Sequence, residues 1–111
     1  MESGDRVESS KEIKERVNKA RQIQLNRYKG YDIFCNAQLK PAHIKKFCVL
    51  GEEEKSLLRS AFEKLGLSAR AHNRILKVAR TIADLDNSER INANHLAEAI
   101  QYRSLDRKFF K

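Results

Sequence analysis

The run from Leu67 to Leu85, LSARAHNRILKVARTIADL, constrains this chain most. A period of 3.6 residues sorts it cleanly. Ala71, Ile75, Val78, Ala79, Ile82 and Leu85 fall on one side, while Arg70, Asn73, Arg74, Lys77, Thr81 and Asp84 share the other. That pattern predicts an amphipathic helix running to about Asp86, with Ser68 as its N-cap. The helix opens with a cation, Arg70, where the exposed N–H groups already carry partial positive charge. The mismatch costs about 0.3–1 kcal/mol. The preceding segment avoids it, beginning with Glu52, Glu53 and Glu54 and ending with Lys64 and Gly66. A chain that obeys the dipole rule at one helix and breaks it at the next is a candidate for holding an arginine beside an anion.

The remaining chain supplies partners for that helix. Ser9 or Ser10 can cap a first helix, with Glu12 completing a capping box and Ile13, Val17 and Ala20 at helical spacing to about Arg27. Residues 11–29 hold seven Lys/Arg against two Glu, a local charge of +5. Gly30 closes this helix. Residues 30–40 have no period, and Ile33, Phe34 and Leu39 are expected to tuck an irregular connection onto the core. Pro41 starts a short helix through Phe47 or Cys48, with Ile44 and Phe47 inward. Leu57, Leu58, Ala61, Phe62 and Leu65 give the helix from Glu52 an apolar face. A last helix follows the loop at Asp86–Ser88, with Ile91 and Leu96 as a hydrophobic staple around the cap Asn92. It is expected to reach about Tyr102, leaving an ambiguous basic tail.

No strand pattern competes, and four glycines and one proline are few turn formers for an all-β fold. The expectation is an all-α bundle of four main helices plus one short helix, with residues 1–8 as a disordered or extended lead, 9–107 as the domain and 108–111 as a tail. At 111 residues, 41% hydrophobic and 34% charged, this is one globular domain. The polar lead after Met1 reads as an added edge. No run is long enough to cross a bilayer and no signal-peptide pattern is present. Cys35 and Cys48 lack a paired motif, so the default is a reduced, cytoplasmic setting with both thiols buried and inert.

The net charge of +8 favours a polyanionic partner, either nucleic acid or nucleotide phosphate, over a merely solvated surface only at even odds. Arg70, Arg74 and Lys77 make a contiguous stripe, and a phosphate near Arg70 would meet a guanidinium and helix N-terminal donors together. An ordinary solvated face is the competing reading. Arg80 lies nearer the apolar boundary and is expected to be structural, its stem on the core and its head on a carboxylate. His43, His72 and His95 are scattered without zinc spacing, and no glycine-rich phosphate loop or nucleophile elbow exists. Neither catalytic residue nor metal site is expected in this segment alone.

Taken together, Gly66–Ala71, Arg74–Leu85, Ser88–Ile91, His95–Ile100 and Tyr102–Arg107, with Arg16-Val17, Ala20–Gln24 and Asn36–Leu39, resemble the C-terminal domain of magnesium-chelatase-related AAA+ ATPases. More narrowly, they resemble the YifB/ComM competence-protein family. The resemblance implies a helical lid that follows a nucleotide-binding core absent from this chain. It implies that Arg70 is similar to a sensor 2 arginine, with Arg74 and Lys77 as possible phosphate or subunit contacts. ATP and magnesium are implied for the parent and none for this segment. The implied partners are the missing core, neighbouring protomers of a hexamer and, through the parent, DNA. An independent basic DNA-binding module is the alternative.

Overall fold

A computed structural model describes the backbone of residues 10–110 and the side chains of residues 10–102. The lead 1–8 and the Ser9 cap lie outside the described residues. The elements are α1 (Ser10–Arg27), a 3-10 turn (Asn36–Gln38), α2 (Pro41–Phe47), α3 (Glu52–Leu65), α4 (Ala69–Leu85) and α5 (Ala93–Phe110). Among the described residues there is no strand. The chain is the expected all-α bundle, except that α5 runs to Phe110, well beyond Tyr102.

Local chemistry sets the helix ends. Ser68 Oγ accepts from the Ala71 N–H at 3.1 Å, so the predicted cap of α4 is in place. Gly66 ends α3 in the left-handed region, φ 62°, where a side chain would be strained. At the start of α5, Asn92 Oδ1 accepts from the His95 N–H and His95 Nδ1 accepts from the Asn92 N–H, both at 3.1 Å. This is a capping box with histidine in the role usually held by Glu or Gln. Because Nδ1 accepts, the ring proton sits on Nε2, which donates to Asp86 Oδ2 at 3.0 Å.

α4 is the hub, packing against α5, α1, α2 and the 3-10 turn. Ala71, Ile75, Leu76, Ala79 and Ala83 are its buried residues of apolar type. Ala79 and Ala83 on α4 and Ala99 on α5 are essentially sealed from solvent. Such small side chains let neighbouring helices approach closely. Tyr28, Ile33, Leu39 and Ile44 close the core from the other side. Tyr28 and Tyr31 each meet Phe47 edge-on, at 5.0 and 5.2 Å between centroids.

Several expectations are corrected. Phe34 is 65% exposed, because the backbone entering the 3-10 turn points its ring outward while Ile33 turns in. Cys35 is exposed for the same reason, and only Cys48 is buried. Ile13 and Val17 are about 40% exposed, since α1 packs through Ala20, Gln24 and Tyr28 and leaves its first turns off the body. Phe62 sits at the rim of the α3 apolar face and stacks edgewise on His72, 6.0 Å away.

Candidate functional site

Arg70, Arg74 and Lys77 are brought together: all three line one open groove of about 1050 Å³ along the outer face of α4. Arg70 and Arg74 are exposed, and Lys77 is half-buried. One wall includes Leu39 after the 3-10 turn and Pro41 of α2; the other is α5, with Glu98 and Tyr102. Arg16 of α1 lines the same groove. Sequence reasoning missed its place there, although the basic first helix was the available signal.

α1 packs on α4. Arg27 near the end of α1 touches Asp84 near the end of α4, and Arg16 lies three turns earlier on α1. Lys77 is held from its far end, Nζ donating to the Ala37 carbonyl at 3.4 Å. At the mouth of α4, Ser68 takes up the Ala71 N–H and the Ser68 carbonyl accepts from His72 at 2.9 Å. The N–H groups of Ala69 and Arg70 have no acceptor within the helix. The groove therefore presents guanidinium groups beside a helix N-terminus, a combination that attracts phosphate oxygens.

Its two carboxylates are already engaged. Asp86 accepts from His95, and Glu98 accepts from the Tyr102 hydroxyl at 3.4 Å. Among the described residues no group of three or more His, Cys, Asp or Glu is placed to hold a metal ion. The donor set fits an anion and does not fit magnesium. No described helix is long and apolar enough to cross a membrane.

Beneath the groove lies a buried polar network that the sequence did not announce. Asp84, placed on the polar face by periodicity, is only 2% exposed. Arg27 grips it with both prongs, Nη2 to Oδ1 at 2.6 Å and Nη1 to Oδ2 at 3.0 Å. Arg80 adds a contact to Asp84 Oδ1 at 3.2 Å and donates to the carbonyls of Ser88 and Glu89 at 2.8 and 3.0 Å. Arg80 is thus structural and paired with a carboxylate, as expected. Asn36 knits the rest: its Nδ2 donates to Asp84 Oδ2 and to Thr81 Oγ1, each at 3.0 Å. Its Oδ1 accepts from Tyr28, and Gln24 Oε1 accepts from its backbone N–H. Burial lowers the Arg27 pKa, but hydrogen bonds to Asp84 and Tyr28 outweigh it and leave the value raised. Burial pushes the Cys48 thiol up to about 11.

Comparison with known proteins gives the family of this domain. The model for "Magnesium chelatase, subunit ChlI C-terminal" matches residues 7–103. Competence protein ComM of Haemophilus influenzae is 45% identical over 105 residues, covering 95% of this chain and 20% of that protein. YifB of Escherichia coli is 46% identical over 100 residues, or 90% of this chain and 19% of that protein. YifB of Salmonella typhimurium is 44% identical over the same length. The chain therefore spans about a fifth of the length of these curated relatives. The match over residues 7–103 covers the α4 groove and the network beneath it, and the chain belongs to the magnesium chelatase ChlI-type C-terminal domain family.

Proposed function

We propose that this chain is the lid, or sensor 2, domain of a magnesium-chelatase-related, ComM-like AAA+ ATPase. Arg70 contributes to nucleotide sensing and hydrolysis, and the basic faces pack on the missing core and on neighbouring protomers of a hexameric ring. The observation that carries this reading is Arg70 itself: an exposed guanidinium in the first turn of a serine-capped helix, lining a groove with two further cations of its own helix. An arginine so placed neutralises charge on a transferred phosphoryl group, which in phosphoryl-transfer enzymes is worth about 10³–10⁵ in rate. Magnesium and the phosphate loop belong to the core, so this chain alone carries no turnover. The parent works in the cytoplasm and acts on DNA, in keeping with the competence role named for one relative.

The test is Arg70→Ala in the full-length parent. ATPase turnover falls strongly while the fold is retained; near-normal turnover sinks the assignment.

An independent DNA-binding module is the second reading, favoured by the +8 charge and by the exposure of residues 10–19 of α1. Micromolar binding of this chain to duplex or single-stranded DNA that collapses steeply with salt would support it. Negligible binding supports the lid.

A further inference from the structure

We propose that a second furrow, built on α3, is a docking surface for an acidic amphipathic helix of a partner protein. It holds about 610 Å³ and shares no lining residue with the α4 groove, so it stands apart from Arg70 and the sensor reading. Lys55, Leu58, Arg59, Phe62 and Glu63 line it from α3. Their spacing, i, i+3, i+4, i+7 and i+8, makes one continuous stripe about 12 Å long. The rest of the lining is the Cys48–Leu50 turn, Lys45 in the last turn of α2, and His72 of α4, whose ring meets Phe62 edgewise.

The interior is apolar and incompletely covered. Leu58 and Cys48 are buried, yet Val49 is 66% and Phe62 38% exposed. Single exposed apolar side chains need no explanation, but apolar groups gathered in one concavity with a charged rim mark an interaction site. A stripe of two helical turns is the length over which a helix-in-groove partner sets its apolar anchors.

The rim selects the partner. Lys45, Lys55 and Arg59 stand against one carboxylate, Glu63, so the lining carries a net +2 with His72 neutral. Lys45 and Arg59 have no hydrogen-bond or ion-pair partner among the described residues. Lys55 reaches Glu52 only at 4.0 Å, in an exposed pair of the kind that contributes little. A second copy of this chain docking through the same furrow would set positive charge against positive charge. A phosphate backbone would leave the apolar interior unfilled. A helix with carboxylates flanking leucine-type side chains meets both demands.

The probe is a synthetic helical peptide of about four turns, with leucines at i, i+3, i+4 and i+7, glutamates beside them and alanine elsewhere. Titrated into this chain and followed by amide chemical shifts, it should bind saturably, with shifts centred on Val49, Leu58 and Phe62. Val49→Ser should weaken binding by about fivefold, and the paired variant Lys45→Gln with Arg59→Gln by about the same factor. These side chains are exposed, so thermal midpoints should stay together. Lys64→Gln, on α3 outside the furrow, should change nothing. The same peptide with lysine in place of glutamate should not bind. Equal binding of the lysine peptide, or indifference to the paired Gln variant, overturns the acidic partner. Binding insensitive to Val49→Ser overturns the furrow, and absence of saturable binding overturns both. Dimerisation of this chain in sedimentation velocity that Val49→Ser abolishes would give the furrow to a second copy instead. Displacement of the peptide from these residues by a single-stranded oligonucleotide would give it to nucleic acid.

Discussion

Arg27 and Asp84, 57 residues apart, form a two-pronged ion pair that locks α1 to α4, with N–O distances of 2.6 and 3.0 Å. Asp84 is buried and also serves Arg80, so one carboxylate is shared by two guanidinium groups. Such a carboxylate is hard to remove. Replacing both partners of a buried pair by apolar groups can be nearly neutral, but deleting one strands the other.

Asp84→Ala should therefore lower stability by about 3–5 kcal/mol. Urea denaturation followed by circular dichroism measures this, and a loss below about 1 kcal/mol would show that the arginines find water or other acceptors.

Arg70→Ala should behave in the opposite way in this chain. Its side chain is exposed and its charge is unfavourable at a helix N-terminus, so stability should move by no more than about 0.5 kcal/mol. A drop of about 2 kcal/mol or more would mean that Arg70 holds the fold.

Gly66→Ala should cost about 1–2 kcal/mol. No atom lies within 4 Å of an added Cβ there, so the whole penalty is the left-handed backbone at φ 62°. Gly51→Ala makes a useful contrast: Gly51 has φ −76°, but its added Cβ would meet the Glu54 carboxylate at 2.6 Å. That carboxylate ends a flexible side chain and can move aside. A thermal melt in which Gly66→Ala is the milder of the two would refute the strain account.

The two cysteines should separate by chemistry. Cys35 is exposed and should react with a thiol reagent in the folded protein, while Cys48 should react only on unfolding. The Cys48 thiol, near 11 when folded against 9.0 in its ordinary state, also links stability to pH. The unfolded chain ionises first, so stability is unaffected below about pH 9 and falls as pH rises from 9 towards 11. A gap of about two units corresponds to a loss of about 3 kcal/mol. Cys48→Ala should flatten this part of the pH profile; an unchanged slope would place the effect elsewhere, for example at Tyr28, which burial also raises.

The sequence by itself determined the helices and their ends. The span of α4, its Ser68 cap, the Gly66 stop, the Pro41 start and the Asn92 cap all depend on residues within about one helical turn, and periodicity records them directly. It also determined the stripe of Arg70, Arg74 and Lys77, because a single helix fixes that geometry. What only the tertiary structure decided is which polar residues are buried and which cations converge. Periodicity placed Asp84 on the wet face, yet α1 and the 3-10 turn lie over that part of α4 and supply Arg27 and Asn36 as partners. Phe34 and Cys35 face outward because the loop backbone, not a helical period, sets their directions. Arg16 lines the groove of Arg70 only because α1 packs on α4. Pairings across such distances follow from how rigid helices are set against one another, which no local pattern in the chain encodes.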